Sequence, residues 1–228
     1  MQLSIIIPTL NEAGQLPRLL DALIPHTYTY DEIIVVDAQS TDKTQNIAKK
    51  HPINLIISNK ACRAHQMNLG AQHASGDVYY FVHADVRPPA TFRQDIEQSL
   101  KLGSDAGCYR FQFDLNSPML KFNAWWTRFN FMFCRGGDQT LFVQQSVFQE
   151  LDGFDEKYII MEDFDFIRRL RRAYKFCIMP KSVLVSARKY AKNSYLKVNL
   201  VNLWSYWTFM LGKDPQKIRA FYKRNLRF

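Results

Sequence analysis

The sequence predicts an α/β fold built on an open, mostly parallel, twisted sheet flanked by helices. Continuous apolar runs of strand length, rich in Ile and Val, suit strands that are buried on both faces. Helical segments alternate with these runs, and a β-α-β-α order favours parallel strands with right-handed crossovers. With 228 residues, 47% of them hydrophobic, the chain is long enough to form one domain with a sizeable core.

The first half of the chain repeats this alternation. The runs LSIIIP, EIIVVD, NLIIS and VYYFVH predict strands at residues 3–8, 32–37, 54–58 and 78–83. Leucines at helical spacing between Leu16 and Leu23 predict the first helix, and a proline-opened segment from Pro88 predicts the last. The four predicted helices cover residues 14–24, 41–50, 62–74 and 88–102.

After about Leu102 the pattern changes to mixed segments. We expect them to extend the same sheet with mixed strands, without forming a separate domain, and two helices to end the chain. The strands predicted in this half are 108–114, 138–145, 175–180 and 182–187, and the helices before the C-terminal pair are 117–133, 146–154 and 161–173.

The formal net charge of +9 predicts an anionic partner. Much of the basic charge lies in the last third of the chain. The sequence has no helix-turn-helix pattern, RNP-like aromatic signature or zinc-finger spacing, so nucleic acid is disfavoured. Phosphorylated small molecules and lipid head groups are the remaining candidates.

The cysteines predict a reducing, cytoplasmic compartment. Cys62, Cys108, Cys134 and Cys177 are scattered and include no C-x-x-C pair, which argues against a zinc site or a disulfide framework. The N-terminus lacks a basic region and its apolar run stops at Pro8, so we expect no signal peptide.

Polar and acidic side chains stand at the ends of three predicted strands. Thr9 and Glu12 follow the first strand, Asp37 ends the second, and the fourth ends on His83 and Asp85. Ligands of open α/β sheets bind outside the carboxyl ends of the strands, so these side chains should converge. Carboxylates there can accept hydrogen bonds from a nucleoside and hold a divalent metal. The absence of G-x-G-x-x-G and G-x-x-x-x-G-K-[ST] disfavours a dinucleotide enzyme or a P-loop NTPase.

Five stretches occur in an order and spacing similar to one known family. They are SIIIPTLNEA, EIIVVDAQSTDKT, RAHQMNLGAQHASGDVYYFVHADV, GGDQTLFVQQSVFQELDGFDE and MEDFDFIRRLRR. Together they resemble family 2 glycosyltransferases of the GT-A fold, and most closely the small bacterial branch labelled rSAM/selenodomain-associated transferase 2. The resemblance runs from residue 3 to about residue 190.

The resemblance implies a donor side. Thr9 and Glu12 would hold a nucleoside, and Asp37 would pair with its base. Arg63, at the start of a predicted helix, would face a diphosphate with its guanidinium and the helix N–H groups.

The resemblance also implies a metal, Mn²⁺ or Mg²⁺. Asp85 matches the last acid of the family's D-x-D motif, which binds the ion. His83 stands where the first acid would be. Imidazole ligates Mn²⁺ but is a poor partner for Mg²⁺, so His83 is either a metal ligand or a contact of ribose or phosphate.

An acceptor side is implied further along the chain. Asp163 matches the general base that takes the proton of the acceptor hydroxyl. Glu162 would lie on the same side, although Glu162 and Asp165 also suit a helix N-terminus and ion pairs within the helix. The remaining residues on this side would be Gly136, Gly137, Asp138 and Gln139.

These roles predict an inverting glycosyltransferase that moves a sugar from a nucleotide-diphosphate sugar to an acceptor hydroxyl. Residues 1–102 would bind the nucleotide, 103–190 would serve the acceptor and catalysis, and 191–228 would form a helical appendage. One alternative is a nucleotidyltransferase of the same fold, which PTLNEAG disfavours with its single glycine. The other is a non-catalytic binder of sugar nucleotides or anionic lipid, which would have no use for Asp163.

Segment 194–212 has the length of a membrane span but is interrupted by Lys197, Asn199 and Asn202. We expect an amphipathic helix that covers the sheet or lies on a lipid surface. The basic tail behind it predicts contact with an anionic membrane or a lipid-linked acceptor, peripheral on the inner face. The basic residues of the tail are Lys213, Lys217, Arg219, Lys223, Arg224 and Arg227.

We expect the aromatic cluster at 125–133 to belong mainly to the core and secondarily to line a groove for the acceptor.

Overall fold

One mixed sheet organises the computed structural model, which describes residues 1–227. Phe228, the last residue of the predicted appendage, lies outside the described residues. The strands are β1 (Leu3–Thr9), β2 (Glu32–Asp37), β3 (Asn54–Ile57), β4 (Val78–Phe81), β5 (Val86–Arg87), β6 (Ala106–Phe113), β7 (Leu141–Gln144) and β8 (Phe176–Val185). They lie in the order β3-β2-β1-β4-β7-β6-β8-β5 across the eight-stranded sheet.

The first four strands along the chain form one side of the sheet and are parallel, as the sequence predicts. β1 lies between β2 and β4, with Ile5 opposite Ile33 on one side and Tyr80 on the other. Every residue of β1 is buried, because both faces of the sheet are covered. This burial explains why the strand reads as a continuous apolar run instead of an alternating one.

The second half extends the same sheet with mixed strands, as expected. β7 runs antiparallel to β4 and to β6, whereas β6 and β8 are parallel. The prediction of two short strands at 175–180 and 182–187 is wrong, since β8 is continuous. The register shifts after Tyr109, which lies opposite Met179. Pro180 falls in the resulting bulge, where the ladder does not need the N–H that proline lacks.

Helices cover the two faces of the sheet and pack on separate buried clusters. Ile5 and Ile7 of β1 belong to one cluster, and Ile6 belongs to the other, as expected for side chains that alternate across a strand. The helices are α1 (Leu16–Leu23), α2 (Thr44–Ala48), α3 (Arg63–His73), α4 (Phe92–Lys101), α5 (Pro118–Trp126), α6 (Gln145–Glu150), α7 (Glu162–Leu170), α8 (Arg188–Lys192), α9 (Tyr195–Met210) and α10 (Pro215–Asn225), with 3₁₀ turns at Ile24–His26, Met132–Cys134 and Gly137–Gln139.

The aromatic helix predicted at 117–133 is shorter than expected and ends at Trp126. The buried guanidinium of Arg135 donates hydrogen bonds of 2.8 Å and 2.7 Å to the carbonyls of Thr127 and Phe129. A continuing helix would have used those carbonyls itself, so Arg135 stabilises an irregular segment there.

The C-terminal helices form a small packed unit. Ser194 caps α9 by accepting a hydrogen bond from the backbone N–H of Lys197, and Asp214 caps α10 in the same way. The rings of Trp204 and Phe221 stack with centroids 3.7 Å apart and tie the two helices together. Among residues 1–227, no helix combines the length and the apolar character needed to cross a bilayer.

Candidate active site

A cavity of about 1000 Å³ opens at the carboxyl edge of the parallel strands. The segments after β1 and β4 line one side, the start of α7 lines the other, and α9 closes a third. A second cavity of about 350 Å³ shares part of this lining and extends it to Thr9. Nine of the residues predicted from the sequence line the larger cavity, namely Glu12, Arg63, His83, Asp85, Gly136, Gly137, Asp138, Glu162 and Asp163.

Asp37 and Gln139 are not among the lining residues of either cavity. The Asp37 carboxylate is buried and accepts hydrogen bonds from the Thr9 hydroxyl (2.9 Å), the Ser40 N–H (2.8 Å) and hydroxyl (2.5 Å), and the Gln45 amide (2.8 Å). Asp37 therefore holds the loop after β2. Gln139 is 1% exposed, with its amide oxygen 3.9 Å from the Cys108 sulfur.

Arg188 joins two acids at the donor edge. Its guanidinium donates two hydrogen bonds to the Glu12 carboxylate, at 2.8 Å and 2.7 Å, and lies 3.3 Å from Asp85 Oδ2. Sequence reasoning did not single out Arg188, because it lies far along the chain from both acids. Only the start of α8 brings it to this edge.

His83, Gly137 and Asp163 meet in the wall of the cavity. The Nε2 atom of His83 lies 3.9 Å from Asp163 Oδ2, and both residues are almost fully buried. Burial, with the nearby positive charge of Arg63, lowers the pKa of His83 to about 3 against a smaller opposing effect of Asp85. The imidazole is therefore neutral at physiological pH and keeps a lone pair for a ligand or a hydrogen bond.

Glu162 and Asp163 form the buried first turn of α7. Met161, just before them, has left-handed backbone geometry at φ 67°, which is costly for a residue with a side chain. All three residues line the cavity. Burial raises the pKa of both carboxyls, and the neighbouring Glu162 charge raises the pKa of Asp163 further. Arg63 Nη1, 3.9 Å from Glu162 Oε1, opposes both shifts.

Asp165, two residues further along α7, has a different environment. It pairs with Arg168 at 3.0 Å and with Arg169 at 2.8 Å, at the helical spacing expected from the sequence. Asp165 therefore stabilises α7, whereas Asp163 faces the cavity.

Residues 4–142 match the family model described as Glycosyl transferase family 2. The chain belongs to glycosyltransferase family 2. The matched region contains the donor-edge residues and Gly137, and it ends before Asp163 and Arg188.

Glycosyltransferases of other organisms resemble the chain over different lengths. It is 30% identical over 183 residues to the PGL/p-HBAD biosynthesis glycosyltransferase of Mycobacterium tuberculosis, covering 72% of this chain and 67% of the relative. It is 34% identical over 114 residues to the dolichol-phosphate mannosyltransferase of Pyrococcus furiosus, covering 46% of this chain and 32% of the relative. The chain thus spans only about a third of that mannosyltransferase.

Solved structures share the fold. The mannosyltransferase PcManGT from Pyrobaculum calidifontis, in complex with GDP-Man and Mn²⁺, aligns with a TM-score of 0.69 at 18% identity, over 97% of this chain and 68% of that one. S. aureus TarS 1–349 with UDP-GlcNAc aligns with a TM-score of 0.66 at 21% identity, over 82% of this chain and 59% of that one. The predicted GT-A-like architecture is confirmed.

The residues around Asp85 fit a metal that is shared with a substrate. The part of the chain that the structure describes has no group of three or more His, Cys, Asp or Glu side chains placed to hold a metal ion. Asp85 nevertheless presents a partly exposed carboxylate to the cavity, with Arg188 beside it. One or two carboxylates with substrate phosphates are a common ligand set for Mg²⁺, and Mn²⁺ also accepts oxygen ligands.

Proposed function

We propose that this chain is an inverting glycosyltransferase that moves a sugar from a nucleotide-diphosphate sugar to an acceptor hydroxyl. One observation carries the proposal: the buried carboxylate of Asp163 opens on the same cavity as the donor-edge residues Arg63 and Asp85. The cavity thus holds a base for the acceptor hydroxyl and groups that can bind the donor diphosphate. Both substrates of one transfer reaction can therefore meet in it.

The donor side would hold the nucleotide at the carboxyl edge of β1, β2 and β4. Thr9 and Glu12 would contact the nucleoside, and Asp37 would accept a hydrogen bond from the base after yielding one of its present donors. Arg63 and Arg188 would face the diphosphate as guanidinium groups. His83, neutral and almost buried, would contact ribose, phosphate or the metal.

Asp85 would hold the divalent cation together with the diphosphate. When bound there, Mn²⁺ or Mg²⁺ supplies positive charge that offsets the negative charge of the departing diphosphate. Arg188 already pairs with Asp85 and Glu12, so an incoming cation would take its place on these carboxylates and leave the guanidinium to face the diphosphate.

The acceptor side would be served by Asp163, with Glu162, Gly137 and Asp138 around it. The acceptor oxygen forms a bond to the anomeric carbon as the bond from that carbon to the diphosphate oxygen breaks, and its proton passes to Asp163. Attack opposite to the leaving group inverts the anomeric centre. The raised pKa of Asp163 makes its carboxylate a better proton acceptor than an ordinary aspartate.

A non-catalytic sugar-nucleotide binder is the second candidate, because donor binding alone does not require Asp163. A panel of nucleotide-diphosphate sugars, each with and without Mn²⁺, tests both candidates by thermal shift and by product formation with simple acceptors. A ligand that binds the native state raises the melting temperature by mass action. We expect one donor to stabilise the protein more with Mn²⁺ than with chelator. If no donor binds under either condition, both candidates are wrong, and binding without hydrolysis or transfer favours the binder.

A further inference from the structure

Helix α9 carries apolar side chains on two opposite faces. Val198, Val201 and Phe209 are buried against the protein. The other face points outward and is also apolar, with exposed fractions from 40% at Met210 to 72% at Leu211. These exposed side chains recur every three or four residues, so they form one stripe, consisting of Leu196, Leu200, Leu203, Trp204, Trp207, Met210 and Leu211.

A second exposed apolar group lies beside this stripe. The aromatic cluster that the sequence led us to assign mainly to the core is largely outside it, because Arg135 ends α5 early and turns the segment to the surface. Phe131 and Phe133 stack at 5.5 Å, and Phe133 contacts Tyr206 of α9 at 6.5 Å, so the two groups are continuous. The exposed members here are Met119, Phe122, Trp125, Phe131 and Phe133, and together with the α9 stripe they are called the aromatic surface.

The segments that build the aromatic surface are strongly basic. Residues 188–227 contain ten Lys and Arg but a single acid, Asp214, and residues 115–137 contain no acid at all. Lys197 lies on α9, Lys213 follows two residues after the exposed Leu211, and both lysines are exposed. Apolar side chains flanked by exposed lysines and arginines match a bilayer with anionic head groups, in which rings enter the interface and cations meet phosphate.

The aromatic surface is also continuous with the mouth of the active-site cavity. Phe133, Leu203 and Tyr206 line the same cavity as Asp163. An acceptor held in the outer part of a bilayer would therefore reach the base without crossing open water.

We propose that the aromatic surface docks on an anionic lipid bilayer and sets the cavity mouth against it. Large exposed apolar patches on proteins mark interaction sites, and this one combines apolar, aromatic and basic groups in the arrangement that interfacial helices use. The entry of a lipid-linked acceptor through this mouth rests on the proposed glycosyltransferase function. Docking itself requires no donor.

Vesicle sedimentation tests the docking surface. The full chain is mixed with vesicles of phosphatidylcholine alone or of phosphatidylcholine with phosphatidylglycerol. We expect binding chiefly to the second kind, and a loss of about tenfold or more in the double variant Trp207→Ser, Leu211→Ser. The control Leu102→Ser removes an equally exposed leucine, 79% exposed, outside the surface and should bind like the parent. Melting temperatures of all variants check that the fold is retained.

A second variant and a second measurement test the contribution of charge and the possibility of self-association. Lys213→Gln with Lys217→Gln should weaken binding to the phosphatidylglycerol vesicles by about fivefold per lysine. The proposal is overturned if the parent binds neither vesicle, or if the serine variant binds as well as the parent. A third result would also overturn it: the parent does not bind vesicles but self-associates, and the serine variant sediments as a monomer. The aromatic surface would then be an interface between copies of the chain. Donor binding without vesicle binding would refute docking and leave the proposed function intact.

Discussion

The α-carbon of Gly137 lies so close to the imidazole of His83 that a methyl group on it would be 2.0 Å from the ring carbon Cε1. The same methyl would be 2.4 Å from Asp163 Oδ2. Gly137 therefore allows a histidine from the end of β4 and a carboxylate from α7 to approach across one wall of the cavity. The approach of His83 to Asp163 thus places a residue of the donor half of the chain beside the proposed base.

Gly137→Ala should disable the site while leaving the fold largely in place. The added methyl must displace His83 or Asp163, and a misplacement of about 1 Å can cost about 10²-fold in rate. Gly136→Ala is a matched control, because its methyl would meet only the Phe164 ring at 3.4 Å, an ordinary contact. Turnover and melting temperature of both variants are the measurements. Equal turnover in the two would show that the wall tolerates displacement.

Asp163→Asn should abolish most transfer with little effect on donor affinity. The substitution preserves size but removes the proton acceptor, and loss of a general base costs about 10²–10⁴-fold. Asp165→Asn should behave in the opposite way, lowering the melting temperature because Arg168 and Arg169 lose their partner. Unchanged turnover in Asp163→Asn would place the base elsewhere, with Glu162 the nearest candidate.

The acidic limb of the pH profile of kcat/KM should have an apparent pKa above that of an ordinary aspartate. Burial and the charge of Glu162 raise the pKa of Asp163, so the base stays protonated to a higher pH and kcat/KM falls early on acidification. Glu162→Gln removes the neighbouring charge and should move this limb to lower pH. Glu97→Gln, on the exposed side of α4, should leave the profile unchanged. If the acidic limb has the same pKa in Glu162→Gln as in the parent, it reports the titration of a group other than Asp163.

Arg188→Met should affect metal and nucleotide in opposite directions. Removal of the cation beside Asp85 and Glu12 should strengthen the binding of Mn²⁺ alone, since two carboxylates lose a competing positive charge. The affinity for a nucleoside diphosphate should fall by about tenfold, or about 1.4 kcal/mol. Calorimetry with each ligand checks both effects, with Lys49→Met as control, because the exposed Lys49 lines neither cavity. A fall in Mn²⁺ affinity would contradict the competition.

Asp37→Ala should lower both stability and nucleotide affinity. The hydroxyls of Thr9 and Ser40 and the amide of Gln45 lose a buried acceptor, at a cost of about 1–3 kcal/mol. Thermal melting and calorimetry with a nucleoside diphosphate measure the two effects. A variant that is less stable but binds nucleotide as well as the parent would restrict Asp37 to the structural role.

Local sequence signals account for the donor edge better than for the rest of the site. The apolar runs predict β1, β2 and β4, and whatever follows such strands must lie at one edge, so Glu12, His83 and Asp85 could be found without coordinates. Arg188 and the close approach of Gly137 depend on packing between distant segments, which no local pattern encodes. The aromatic residues near Trp125 were misassigned because hydrophobicity alone does not distinguish a core from an exposed interface.

The antiparallel pairing of β4 with β7 has a consequence for how the protein is made. During synthesis β1 to β4 emerge first, and β4 then presents an open apolar edge until Leu141–Gln144 follows. Unpaired strand edges of this kind recruit other chains. We expect ribosome-bound chains arrested before residue 141 to be recovered with a holdase chaperone, and chains arrested well beyond residue 185, when β8 has also paired with the other edge of β6, to be free of it. The order in which the strands pair thus determines how long the nascent chain needs a chaperone.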